Sequence, residues 1–376
     1  MDTPRDKSFL EKFKKKNSMD LIKLKKFYKN KKVFITGNTG FKGIWLQLFL
    51  IYFGAKVKGY SLKLKKNDNF IFYKKIKKEC KEVNTTYGNI LNYDLLKKTI
   101  KKFKPDIVFH FAAQSIVIES QKFPRNTFET NVVGSNNLID ICKNIKSIKS
   151  VVLATSDKCY FNNKATYFSE TSKILGDEPY SSSKANTEYL INIYYKNFLK
   201  KLNFGLSSVR AGNVIGGGDF SKYRIIPDII KNVKNKKILL RNPNNIRPWQ
   251  HIFDVLCAYL LISKFHYKDK KKYSGPYNVG PNRRSILNVK QLTNLLIKNL
   301  GFKIKIQMNL NKDNRYKESK FLFLNSNKIK KKLKWSPNYD INKSLELTSN
   351  WYKNFLLNKS LYKFSTNQIK NFFDYQ

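Results

Sequence analysis

The chain is 376 residues long, enough to bury a full core as two domains or as one large α/β unit with an added lobe. Hydrophobic residues make up 41 % of it, so an ordinary globular fold is available, yet 74 Lys+Arg against 26 Asp+Glu leave a formal charge of +48. The basic residues are nearly all lysine and are spread along the whole length, whereas phosphate and base recognition favour the fork of arginine; the charge is therefore read as a solvated surface, not a nucleic-acid or membrane site.

Lysine shares A/T-rich codons with the equally over-used Asn, Ile, Phe and Tyr, which points to base-composition drift, although the field still attracts anionic small molecules. The cysteines at 80, 142, 159 and 257 form no C-x-x-C pair and no metal cluster with the histidines, so a metal is not expected and a reduced, cytoplasmic protein is. The first residues lack an apolar signal core. The run "IWLQLFLIYF" (44–53) is too short to span a bilayer and reads as a buried helix.

Residues 1–30 read as a basic extension, the first 18 without a role in the fold. From residue 31 strands and helices alternate: "KVFIT", "KVKGYSL", "DIVFHFA", "SVVLATS" and "GLSSVRAGNVIG" as strands; the stretch after Gly40, "LNYDLLKKTIKKF", "TFETNVVGSNNLIDICKN" and the long segment from Tyr180 as helices. Short, continuously apolar strands separated by helices predict an α/β fold, a Rossmann-like doubly wound parallel sheet over 31–212, with about 245–282 returning to it. Turn-rich sequence over 213–244, and 283–376 with a helix at about 288–300, predict a smaller C-terminal substrate-binding lobe.

Within this frame "GNTGFKG" puts Gly37, Gly40 and Gly43 between the first strand and its helix. Gly37 makes the tight turn, Gly40 admits a pyrophosphate and Gly43 lets helix and strand pack, while the helix N-terminus supplies free N–H groups. The second strand ends at Tyr60 and Ser61 with no carboxylate, so Lys63 or Lys65 leaves room for a 2′-phosphate and these residues do not separate NAD from NADP. "YSSSK" sets Tyr180 and Lys184 on one helix face, where the ammonium is expected to hold the phenol below its usual value near 10. Thr155, Ser156, Asp157 and Lys158 end the preceding strand, at the edge where open α/β sheets build their sites.

Together "GNTGFKG", "HFAAQSIV", "TSDKCY", "YSSSK", "RAGNVIGGGDF", "IIPDII" and "RPWQH" resemble, from about residue 30 to 355, the CDP-glucose 4,6-dehydratases of the extended short-chain dehydrogenase/reductase superfamily. The resemblance implies NAD as cofactor, touched by Gly37, Thr39, Gly40, Phe41, Lys42, Gly43, Tyr60, Ser61, Asn89, Ile90, Ala112, Ala113, Gln114, Asn131, Tyr180 and Lys184; Asn89 departs from an aspartate in relatives. It implies that Tyr180, with Ser156 and Lys184, takes the 4-hydroxyl proton as hydride leaves carbon 4. Asp157, held protonated by burial, then donates to the departing 6-hydroxyl and Lys158 acts as base at carbon 5. Gln114, Ser156, Arg210, Asn213, Arg247, Trp249 and His251 are implied to hold CDP-glucose. A homodimer or homotetramer built on the Tyr180 helix, and a place in deoxysugar (O-antigen, lipopolysaccharide) biosynthesis, are implied as well. Another nucleotide-sugar dehydratase or epimerase, and a non-catalytic RNA-binding member of the fold, remain as alternatives.

Overall fold

The structure is a computed structural model and describes residues 23–64, 68–161, 167–308 and 322–374. Seven strands form the central sheet: β1 (Lys32–Thr36), β2 (Lys56–Ser61), β3 (Thr85–Tyr87), β4 (Ile107–His110), β5 (Ser150–Ala154), β6 (Gly205–Ala211) and β7 (Gly275–Val279). They lie in the order β7-β6-β5-β4-β1-β2-β3, with every neighbour pair parallel. The chain begins in the middle, winds to one edge and returns to build the other, which leaves a crevice above the carboxyl ends of β1 and β4. Register is pinned at the centre, where Val33 lies opposite Val57 on one side and Ile107 on the other. Helices cover both faces, so β1, β4 and β5 are apolar and buried along nearly their whole length.

The helix after the glycine turn (Phe41–Tyr52) is the apolar run seen in the sequence, buried under the sheet, and its one polar interior residue, Gln47, accepts a hydrogen bond from Asn38 at 3.2 Å. Among the described residues no helix is long and apolar enough to cross a membrane. The smaller lobe holds the three-stranded sheet of Asn213–Ile215, Ile246–His251 and Ile286–Asn288, with the helices Ile225–Lys231, Val289–Leu300 and Ile341–Leu356.

Three segments differ from expectation. Ile246–His251, at the head of the stretch 245–282 read as returning to the central sheet, is the middle strand of the smaller sheet, while Gly275–Val279 of that stretch does join the central sheet. Residues 23–28, read as part of a basic extension, are helical: Leu24 and Tyr28 are fully buried, and the Tyr28 hydroxyl donates to the Leu260 carbonyl at 2.9 Å. Apolar residues hidden among lysines produced the misreading; residues 1–18 lie outside the described residues. The last helix (Leu361–Asp374), assigned with the smaller lobe, bridges the two halves: Trp351 Nε1 of the helix Ile341–Leu356 donates to Ser365 Oγ at 2.9 Å, while Phe373 stands edge-on to Phe49 at 5.3 Å and to Phe53 at 4.9 Å.

Candidate active site

A cleft of about 1020 Å³ runs over the carboxyl ends of β1, β4 and β5 and between the two lobes. One end is the glycine turn. Gly37 sits at φ +70°, in the left-handed region that favours glycine, and a Cβ there would stand 2.6 Å from the Ala112 nitrogen. A Cβ on Gly43 would stand 2.2 Å from the Gly37 oxygen, whereas one on Gly40 would meet only that oxygen, at 3.4 Å, and otherwise fill open cleft. The turn is thus packed behind and bare in front, a cradle shaped for a pyrophosphate at a helix N-terminus. Thr39, Phe41, Lys42, Tyr60, Ser61, Asn89, Ile90, Ala112 and Ala113 line the same wall. Thr39 and Ser61 share a 2.6 Å hydrogen bond, and the Tyr60 hydroxyl donates to the Asn89 carbonyl at 2.9 Å. Lys63 also lines the cleft, and Lys65 lies outside the described residues.

The other end is polar. β5 runs into Thr155 and Ser156 and then into a single 3₁₀ turn, Asp157–Cys159, capped by Ser156, whose Oγ accepts from the Lys158 nitrogen at 3.2 Å and donates to Asp157 Oδ1 at 3.0 Å. Opposite it the helix Pro179–Phe198 starts with a reciprocal cap: the Glu178 carboxylate accepts from the Tyr180 and Ser181 nitrogens at 2.8 and 2.6 Å, and Ser181 Oγ accepts from the Glu178 nitrogen. That cap fixes Tyr180 in the first turn, hydrogen-bonded to Ser156. Lys184 follows one turn later, and its Nζ donates to the Ala154 carbonyl at 3.2 Å.

Burial dominates the electrostatics. It pushes the Asp157 carboxyl above the usual range, against the pull of Lys158, the Ser156 hydrogen bond, Arg247 and Lys42. It brings Lys184 down to about 8, a fall that the Glu188 carboxylate opposes. Lys42 falls to about 8 through burial and the neighbouring charges of Arg224 and Lys184. The expected depression of Tyr180 is absent: burial raises it to about 12, opposed by the Ser156 hydrogen bond. The reason is geometric, because the Lys184 ammonium is committed to the Ala154 carbonyl and not to the phenol.

Ser156, Asp157, Lys158, Tyr180, Lys184, Asn213, Arg247 and Trp249 all face the cleft. Four expected contacts do not. Gln114 is turned into its own loop, donating to the Ile116 carbonyl and Thr127 Oγ1, and Asn131 behind it reads the Gln114 backbone at 2.8 and 3.0 Å and donates to Ser183. His251 is buried and neutral, pushed down to about 3 by desolvation, and caps the helix Ile252–His266 through Nδ1. Arg210 is 2 % exposed beneath the cleft floor, paired with Glu188 at 2.7 Å. Each was implied by position in a motif, which does not reveal which way a side chain turns.

Arg224 is the residue that sequence reasoning missed. It lies on the cleft wall between the quoted stretches "GGGDF" and "IIPDII", is held by Asp219 at 3.1 Å, and its charge acts on both Tyr180 and Lys42. The scarcity of arginine that singled out Arg247 applied to it equally. Among the described residues no group of His, Cys, Asp and Glu could hold a metal, and the four cysteines are free and buried.

Comparison with known proteins agrees with this geometry. The family model described as GDP-mannose 4,6 dehydratase matches residues 34–348. The chain is 35 % identical to a CDP-glucose 4,6-dehydratase of Salmonella typhimurium, over 93 % of this chain and 98 % of that one. It is 31 % identical to a dTDP-D-glucose 4,6-dehydratase of Dictyostelium discoideum, over 66 % of this chain and 58 % of the relative. In solved structures the fold recurs in a dTDP-glucose 4,6-dehydratase from Bacillus anthracis in complex with NAD, with TM-score 0.71 at 24 % identity over 86 % of this chain and 97 % of that one. An epimerase from Methanothermobacter thermautotrophicus superposes with TM-score 0.77 at 20 % identity, over 90 % of this chain and 96 % of that one. With its doubly wound sheet, its glycine cradle and a match that spans most of its length, the chain belongs to the GDP-mannose 4,6 dehydratase family of nucleotide-sugar enzymes.

Proposed function

We propose that the protein dehydrates CDP-glucose to CDP-4-dehydro-6-deoxy-glucose with bound NAD. The observation that carries this reading is the turn Ser156–Asp157–Lys158 against Tyr180: a hydroxyl, a carboxyl whose proton burial makes harder to lose and an amine within one short segment. Tyr180, bonded to Ser156, takes the proton of the sugar 4-hydroxyl. Asp157 gives a proton to the departing 6-hydroxyl, and Lys158 removes the proton on carbon 5 that the adjacent ketone has acidified.

The glycine cradle fits the pyrophosphate of NAD, with Thr39, Ser61, Tyr60 and Lys184 as further contacts. NAD, when bound, supplies the redox capacity that oxidises carbon 4 and then reduces carbon 6, and its cationic ring helps to ionise a phenol otherwise raised to about 12. Arg224 and Arg247, with Lys42, supply positive charge for the sugar diphosphate.

Incubation of the purified protein with NAD and CDP-, dTDP-, GDP- and UDP-glucose tests the assignment. Loss of one water and appearance of a 4-keto product with CDP-glucose alone is the expected result; equal turnover of another nucleotide sugar overturns the choice of CDP.

The exposed apolar side chains Tyr189 and Ile193, one turn apart on the Tyr180 helix, support a homodimer through that face. Free buried cysteines are compatible with a reducing compartment, the cytoplasm, where deoxysugar precursors of surface polysaccharide are made. Light scattering of the wild type and of Ile193→Glu tests the dimer.

A further inference from the structure

Arg210 raises a question by its place: an arginine withdrawn from the cleft cannot touch a nucleotide sugar, yet a buried ion pair is an inefficient way to stabilise a core. Its bonds suggest what it does. One guanidinium nitrogen donates to Glu188 Oε2 at 2.7 Å; the other donates to the Tyr160 hydroxyl at 2.7 Å and to the Glu170 carbonyl at 3.1 Å. Glu188, two turns beyond Tyr180 on the same helix, also accepts from Thr155 Oγ1 at 2.5 Å and from Ser208 Oγ at 2.9 Å. The Tyr160 hydroxyl in turn donates to Asn278 at 2.7 Å.

Thr155 and Tyr160 bracket the segment Ser156–Cys159 that carries the polar end of the site. Both brackets are therefore tied to one buried ion pair, Thr155 through the carboxylate and Tyr160 through the guanidinium. The same carboxylate bonds Ser208 and Arg210 on β6, so the strand carrying the turn, the strand beside it and the helix carrying Tyr180 are joined at one point. We propose that Glu188 and Arg210 are positioning residues that hold the Ser156–Asp157–Lys158 turn in its working geometry against Tyr180. The proposal rests on the dehydratase reading for what the turn does, but not for how it is held.

The pair has a second effect. Lys184 is faced by Glu188 on its own helix, by Cys159 from the turn, by His110 of β4 and by Lys42 from the helix after the glycine turn. Of these Glu188 is the group that favours the ammonium most strongly. Removing its charge shifts loss of the Lys184 proton to lower pH.

Thr155→Val and Tyr160→Phe each cut one bracket and leave the ion pair whole; Glu188→Gln removes the charge. Thr155→Val is expected to lower kcat about tenfold with KM within twofold, since small misplacements of catalytic groups weaken the transition state more than binding, and Thr155→Ser restores the rate. Glu188→Gln alone moves the alkaline limb of the kcat profile to lower pH. Independently of activity, hydrogen exchange of the amides of 156–160 should accelerate about tenfold in Thr155→Val and Tyr160→Phe while β5 stays protected. Unchanged exchange in both variants overturns the proposal whatever the enzyme turns over, as does a rise in KM at constant kcat. A wild type inert toward every nucleotide glucose overturns the dehydratase reading instead, and the exchange measurement still decides the positioning role. Should Glu188→Gln fail to fold, the two bracket variants decide alone.

Discussion

Lys184 stands one helical turn beyond Tyr180, yet its ammonium donates to the main-chain carbonyl of Ala154 at 3.2 Å, not to the phenol. The helix thereby anchors the end of β5, and the phenol keeps a pKa near 12 while the ammonium falls to about 8. The pair is coupled through the strand they both face.

The pH behaviour follows. Lys184 and Lys42 have folded values of about 8, below the ordinary lysine value of 10.5, so the unfolded chain binds more protons above pH 8. Their burial opposes folding fully below pH 8 and is relieved as pH rises toward 10.5; the buried thiols of Cys142, Cys159 and Cys257, pushed above the ordinary 9.0, work against that rise once the unfolded thiols ionise, and Tyr180, raised to about 12, adds to them above about pH 10. The difference in denaturant midpoint between Lys42→Met and wild type, largest below pH 8 and shrinking as pH rises toward 10, is the expected outcome.

The glycine turn separates folding from binding. In Gly43→Ala the new Cβ meets backbone atoms at 2.2 and 2.6 Å, so the helix must shift and the melting temperature should fall markedly. In Gly40→Ala the Cβ meets only the Gly37 oxygen, at 3.4 Å, so melting should stay near wild type while dinucleotide binding, followed by fluorescence quenching, weakens at least tenfold.

Steady-state kinetics should sort the cleft residues. Lys158→Ala is expected to retain NAD and lose about 10²–10⁴-fold in 4-keto product formation, the range for removal of a general acid or base. Arg224→Ala and Arg247→Ala should act mainly on KM for the nucleotide sugar, by about 10- to 100-fold each, as expected for a charged hydrogen bond worth about 1.5–3 kcal/mol.

The amino-terminal helix has a structural role that truncation reveals. Tyr28 is fully buried against Phe53 and bonded to Leu260, so Tyr28→Ala should lower stability by about 3–5 kcal/mol without altering KM, read by denaturant unfolding.

The amino-acid sequence alone determined the alternation of strands and helices, because continuous apolar runs and helical periodicity are local signals, and it determined the glycine turn, because the spacing of Gly37, Gly40 and Gly43 follows from backbone sterics between one strand and one helix. The adjacency of Ser156, Asp157 and Lys158 and the one-turn offset of Tyr180 and Lys184 were legible for the same reason. Only the tertiary structure decided which way buried polar side chains turn. Arg210 and His251 sit in stretches that approach the cleft, but Glu188 lies 22 residues from Arg210 in sequence and claims it below the floor, while His251 is spent capping a helix. Long-range partners of that kind leave no periodic trace, and a buried polar group goes wherever its hydrogen bonds can be satisfied.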